Sequence, residues 1–118
     1  HMTEPLPAAE NTPNNELVAV DLAFPVKRGT TEIASFFIRK PKGRVLYGFN
    51  LPDIVELKIS TLYRLIPLIS EPPLVAHEVE NLDPSDLTEI GGVIRDFFMM
   101  KAERAYFEAA LASIQQPS

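Results

Sequence analysis

The stretch "LIPLISEPPL", residues 65–74, constrains the fold more than any other part of the chain. It carries a helical apolar pattern straight into Pro67, Pro72 and Pro73. A proline ring conflicts with the carbonyl four residues back and removes a backbone donor. Pro67 therefore kinks or ends a helix at the carbonyl of Tyr63. Pro72 and Pro73 push the residues before them toward extended backbone. The stretch reads as a fixed corner between two helices, with these three prolines as its structural residues. No single straight helix can span the middle of the chain.

The two sides of this corner have different periods. Upstream, "ELVAVDLAF" (16–24) alternates, with Val18, Val20, Leu22 and Phe24 on one face and Leu17, Ala19, Asp21 and Ala23 on the other. "TEIASFFIR" (31–39) has the β-branched and aromatic content of a strand. Between them "PVKRGT" holds Gly29, which can take a positive φ. The pattern predicts a β-hairpin with a loop longer than two residues, closed after its second strand by Pro41. A hairpin alone is marginal in water, so its apolar face needs a cover.

Downstream, the pattern turns helical. Asn50, Pro52 and Asp53 open a short helix over 51–58 as cap, first-turn proline and first-turn acid. Ser60 is the expected cap of the next helix, which carries Leu62, Leu65, Ile66 and Ile69. Residues 74–82 allow one or two further turns. "DPSD" (83–86) is the clearest start signal, with Asp83 as N-cap, Pro84 at the first helical position and Asp86 as the acid of a capping box. The helix it opens meets no proline until Pro117, and a run from 84 to 114 would be about 45 Å long. Leu87, Ile90, Ile94 and Phe97 form its apolar stripe. Gly91-Gly92 weakens it and permits either a kink or a close approach.

The expected fold is α+β, an N-terminal β-hairpin packed against three to four α-helices, the last one long. At 118 residues the chain reads as one domain, over 16–114. A polar, proline-rich arm at 1–15, disordered by composition and beginning with a His1-Met2 expression scar, precedes it; 115–118 reads as a frayed tail.

Composition excludes more than it assigns. There is no Cys, hence no disulfide, thiolate metal site or thiol nucleophile. No apolar run nears the ~18 residues of a membrane span and no signal-peptide pattern opens the chain, so a cytosolic protein without a membrane partner is expected. A net charge of −5 argues against nucleic acid, and Lys27-Arg28 with Arg39, Lys40, Lys42 and Arg44 read as solvated turn and loop charges. His77 stands between apolar and acidic neighbours with no converging partners. Asp83 and Asp86 fit a helix start better than an acid–base pair. Gly91-Gly92 does not follow a strand, as a phosphate loop would. No catalytic residue, metal site or cofactor is expected.

Binding has more to draw on. "DFFMMKAERAYFEAALA" (96–112) places Phe97, Phe98, Met99 and Met100 consecutively, which spreads them over more than half a helix circumference. One side can pack on the hairpin; the other cannot share that core. Tyr106, Phe107, Ala110, Leu111 and Ile114 extend the apolar area. The candidate partner-binding residues are Phe98, Met99, Met100, Tyr106, Phe107 and Leu111. Two readings stay open: core or a flank covered by the N-terminal arm, and a contact surface for self-association or a helical client.

The segment "YRLIPLISEPPLVAHEVENLDPSDLTEIGGVIRDFF" (63–98) resembles the tail assembly chaperone family of Mu-like contractile-tailed phages and related prophages. The resemblance lies in Pro67 and Ile69, Pro72-Pro73-Leu74, Glu78-Val79, Leu82-Asp83-Pro84, Asp86-Leu87, Gly91-Gly92 and Phe97-Phe98. "FFIRKPKGRVLYGFNLPDI" (36–54) is similar to the family's strand, Arg-x-Pro and short helix, so the likeness covers 16–98. It departs at Val75, where the family often has a capping hydroxyl, so the short helix at 75–82 is expected to be weaker. The resemblance implies a non-enzymatic role: binding the tape measure protein while the tail tube polymerises around it. The tail tube protein and further copies of the chain are additional expected partners. The alternative is a homo-oligomeric adaptor or structural subunit of a phage-derived particle.

Overall fold

The computed structural model describes residues 16–99 and the backbone of 101–115, with the side chains of 105, 106 and 108–114. Along the chain run β1 (Leu17–Arg28), β2 (Thr31–Arg39), a 3-10 turn (Gly43–Leu46), α1 (Leu51–Val55), α2 (Ile59–Ile69), β3 (Ser70–Glu71), α3 (Ala76–Glu80), α4 (Pro84–Phe97) and α5 (Lys101–Gln115). The three strands form one antiparallel sheet in the order β1-β2-β3. The fold is α+β, with the sheet covered on one face by α2 and α4. The expected arm at 1–15 and the tail from 116 onward lie outside the described residues.

The hairpin turn is tighter than its sequence suggests. Arg28 pairs directly with Thr31, leaving only Gly29 and Thr30 between the strands. Gly29 takes φ +62, the left-handed backbone that lets a two-residue turn match strand twist. Lys27 and Arg28, expected in the loop, are ladder residues opposite Glu32 and Thr31. The irregularity sits earlier. Asp21 pairs with Ser35 and Val26 with Ile33, so residues 22–25 of β1 oppose only Ala34. This wide bulge breaks the period-two reading: Val20, Leu22 and Val26 are buried, whereas Phe24, expected beside them, is 58% exposed.

The proline-rich corner does more than join helices. Pro67 lies inside the last turn of α2, which continues to Ile69 rather than ending at the proline. Ser70 then goes extended, and Ser70 and Glu71 pair with Ile38 and Phe37 as the third strand. The buried Ser70 hydroxyl donates to the Ile66 carbonyl at 2.8 Å and accepts from the Leu74 N–H at 2.9 Å, tying both ends of the corner together. The Glu71–Pro72 peptide bond is cis.

Helix starts follow the capping signals in part. Asn50 Oδ1 accepts from the Asp53 N–H at 3.0 Å and opens α1, which ends at Val55. Ser60 is not the cap of α2: the helix begins at Ile59 with Lys58 before it, so Ser60 lies in the first turn. Asp83 caps α4 by accepting from Ser85 N–H at 3.0 Å and Ser85 Oγ at 2.6 Å. Those two bonds hold the Asp83 carboxyl below its ordinary range.

The expected single helix over 84–114 is two helices, and the break is not at the glycines. Helix α4 runs through Gly91-Gly92 and stops at Phe97. The N–H groups of Phe98 and Met99 bond to the carbonyls of Arg95 and Asp96, three residues back, at 2.9 and 3.3 Å. This tightening brings Phe98 against the core alongside Phe97, which regular helical spacing at about 100° per residue would spread apart. Gly91 serves a close approach instead: a Cβ there would lie 3.1 Å from Leu57 Cδ1. Val20, Phe36 and Ile38 of the sheet, Leu65, Ile66 and Ile69 of α2, and Ile90 and Ile94 of α4 form the centre of the core.

Candidate interaction surface

Two buried carboxylates dock the helical layer onto the bulged strand. Asp86, in the first turn of α4, is 2% exposed. Its Oδ1 accepts from Ala23 N–H at 2.9 Å and its Oδ2 from Phe24 N–H at 3.0 Å. The capping-box role expected for Asp86 is replaced by this long-range one. The bulge leaves these backbone donors out of the ladder, and a hydrogen bond to a charged group contributes about 1.5–3 kcal/mol. The second residue is Glu78 of α3, equally buried. It accepts from Arg28 Nε at 2.7 Å and Nη2 at 2.6 Å, a bidentate geometry that favours Arg strongly. The Arg28 hydrogen bonds, opposed by burial and helped by the Val75 N–H, bring the Glu78 carboxyl down from 4.5 to about 2.

Glu78 also resolves the departure at Val75. Valine has no side-chain acceptor, so the reciprocal half of a capping box does the work. The Glu78 carboxylate accepts from the Val75 N–H at 3.0 Å. The expected weakening at Val75 is thereby offset within the first turn of α3.

With β1, α3 and α4 fixed in this way, apolar side chains remain on the outside. Tyr106, Leu111 and Ile114 of α5 are 77%, 46% and 78% exposed. Tyr106, Ala110 and Ile114 recur at four-residue spacing, so they form one row, with Leu111 next to Ile114. None of the described α5 side chains is buried. Of the expected binding residues, Tyr106 and Leu111 therefore share an open helix surface. Phe98 is half-buried against the core and Met99 is half-buried at the turn. Met100 and the Phe107 side chain lie outside the described residues.

Among the described residues no three His, Asp or Glu side chains converge as a metal site would require. His77 is exposed. Of the basic residues considered for nucleic acid, Arg39 is bound to Glu71 at 2.6 Å and Lys42 to Glu16 at 3.1 Å. No described helix is long and apolar enough to cross a membrane. Sequence reasoning missed Arg28–Glu78 and the bulge contact of Asp86. The signal it had for each was local, a basic pair in a turn and an acid in a first turn, and neither predicts a partner some fifty to sixty residues away.

The sheet is bulged and clasped by helix-borne carboxylates, and the helix that follows carries an exposed apolar row. Residues 19–99 match the family model described as phage tail assembly chaperone proteins, E, or 41 or 14, and the chain belongs to that family. It is 29% identical over 83 residues to tail assembly protein E of Escherichia phage P2, covering 70% of this chain and 91% of that protein. It is 26% identical over 98 residues to tail assembly protein E′ of the same phage, covering 83% of this chain and 69% of that protein. No solved structure matches the chain. The family match ends at the Phe98–Met99 turn, so α5 lies beyond it.

Proposed function

We propose that this chain is a non-enzymatic tail assembly chaperone of the host cytoplasm that binds the tape measure protein and supports tail tube assembly. The client surface is the outer row of α5. The observation that carries this reading is the exposure of Tyr106, Leu111 and Ile114 on one helix joined by a short turn to a well-packed body. A contiguous apolar helix face is suited to a partner that offers another amphipathic helix, read at i, i+4 spacing. A tape measure protein built of long helices offers many such segments. The tail tube protein and other copies of the chain are further partners in the same scheme.

Co-expression with the tape measure protein tests it. The client becomes soluble and co-purifies with this chain. Leu111→Asp and Tyr106→Asp reduce co-purification without lowering the unfolding midpoint, because both side chains are exposed. Equal precipitation of the client with and without this chain would refute the proposal. Co-purification undiminished by both variants would move the client off α5.

A further inference from the structure

We infer that the outer face of α1, with the loop before it, is a second docking surface, and that its occupant is an acidic amphipathic helix of another protein. The inference does not rest on the client reading and uses no part of α5. It begins with charge. Residues 39–64 hold Arg39, Lys40, Lys42, Arg44, Lys58 and Arg64 against Asp53 and Glu56, a surplus of four positive charges in a chain of net charge −5. Such asymmetry along a chain points to an oppositely charged partner. Arg39 and Lys42 are already engaged by Glu71 and Glu16. Arg44 and Arg64 make no salt bridge among the described residues, and Lys58 makes only a long one, 3.9 Å from Asp53. Arg64 instead donates to the Gly48 carbonyl at 3.0 Å and lies 4.3 Å from the centre of the Phe49 ring. It thereby holds the loop before α1 in place while remaining exposed.

Exposed apolar side chains lie in the same segment. Leu51 and Val55, 54% and 41% exposed, are four residues apart on α1 and so share one face. Tyr47 and Ile59 flank α1 in the chain and are 78% and 56% exposed. Ile54 anchors α1 from within and is fully buried, so the helix cannot roll its outer residues into the core. Arg95, near the end of α4, donates from Nε to the Val55 carbonyl at 3.0 Å and brings a further guanidinium to the end of this face. An apolar centre with a polar rim is the anatomy of a protein-binding surface. The sign of the rim selects the occupant, because an acidic helix meets a complementary potential and a basic one is repelled. Apolar residues of that helix at i, i+4 spacing cover Leu51 and Val55 while its carboxylates meet Arg44, Lys58 and Arg64. Leu51, Val55 and Ile59 are aliphatic and offer no flat face on which a base could stack, which disfavours nucleic acid as the occupant. Helix α5 carries Lys101 and Arg104 against Glu103 and Glu108, so it has no comparable preference of sign.

The full chain is titrated with a labelled helical peptide that has leucine on one face and glutamate on the other. Two control peptides carry lysine for glutamate and glutamine for leucine. The expected result is saturable binding of the leucine–glutamate peptide, about tenfold or more tighter than either control and weakened by salt. Leu51 and Ile59 are the first residues of α1 and α2, where an acid is favoured by the helix dipole, so Leu51→Asp and Ile59→Asp leave the unfolding midpoint unchanged. Each weakens peptide binding about tenfold or more. Arg44→Glu/Lys58→Glu inverts the preference toward the lysine peptide, and Leu111→Asp and Tyr106→Asp leave binding unaltered. Equal binding of the glutamate and lysine peptides overturns the inference. So does loss of binding confined to the α5 variants, which would put the peptide on α5. Preference for an oligonucleotide or for phosphatidylglycerol vesicles over the peptide overturns it as well. Loss of client co-purification with peptide binding intact would strike the proposed function alone.

Discussion

Helices α4 and α5 have nearly equal lengths, 14 and 15 residues, and follow each other across a short turn. Helix α4 begins with a capped proline, sends Asp86 into the strand bulge, and buries Ile90 and Ile94 completely. Helix α5 has none of these ties among its described residues, and its largest described side chains face solvent. Helical propensity does not separate the two. What separates them is where the apolar row goes: α4 lays its row on the sheet, while α5 begins after the sheet has been covered. Most helix stability in proteins comes from such packing rather than propensity. The chain thus divides into a body packed through α4 and a helix whose described apolar side chains stay in solvent.

The largest effect should appear when equal truncations are made on the two helices. Ile94→Ala removes a fully buried side chain and should cost about 2–5 kcal/mol in urea unfolding, by the usual range for core truncations. Leu111→Ala should stay within about 0.5 kcal/mol, as surface changes do. A comparable loss at Leu111 would place α5 in the core and break the comparison.

Next comes the bulge contact. Asp86→Ala removes both bonds to the Ala23 and Phe24 N–H groups, and at about 1.5–3 kcal/mol for a hydrogen bond to a charged group the variant should lose about 2–4 kcal/mol. Asp86→Asn keeps one acceptor oxygen and should lose less. Protection of the Ala23 and Phe24 amides from hydrogen exchange should fall in both. Unchanged protection in Asp86→Ala would show that the ladder holds the bulge without the carboxylate.

The Arg28–Glu78 pair sharpens the picture through pH. Its arginine holds the Glu78 carboxyl at about 2 in the folded chain, below the ordinary 4.5. A depressed carboxyl stabilises the fold fully above the unfolded value and loses that contribution as pH falls through the folded one. Unfolding free energy should thus drop between about pH 4.5 and about pH 2, and Arg28→Met should flatten that slope. A slope unaltered by the substitution would assign the acid sensitivity to other carboxylates.

Much of this architecture was legible in local patterns. Alternation along β1, the cap at Asn50, the Asp83-Pro84 start and the stripe of Ile90 and Ile94 each depend on neighbours within a few residues. What escaped were decisions made across the fold. The bulge at 22–25 depends on a carboxylate near residue 86, and β3 depends on a strand edge some thirty residues upstream. The end of α4 has no breaker in its sequence. It is set by two consecutive phenylalanines that both pack on one core. The open row of α5 was visible as surplus apolar residues, because a helix in line with a filled core has nowhere inside to put them.

The smallest effect concerns adjacent glycines in α4 and separates what the helix wants from what the fold allows. Gly92 is exposed and a Cβ there meets nothing within 4 Å. Alanine is favoured over glycine inside helices by about 0.8–1.0 kcal/mol, so Gly92→Ala should stabilise by up to about that amount. Gly91 stands under the Leu57 side chain, whose backbone is at φ +59. A Cβ 3.1 Å from Leu57 Cδ1 requires that side chain to give by a few tenths of an ångström. Gly91→Ala should therefore gain less than Gly92→Ala. The double variant Gly91→Ala/Leu57→Ala tests the cause, since removing the leucine side chain should restore the gain, giving a coupling energy between contacting sites. Equal stabilisation by both alanines would show that Leu57 yields freely, and that Gly91 marks no close approach.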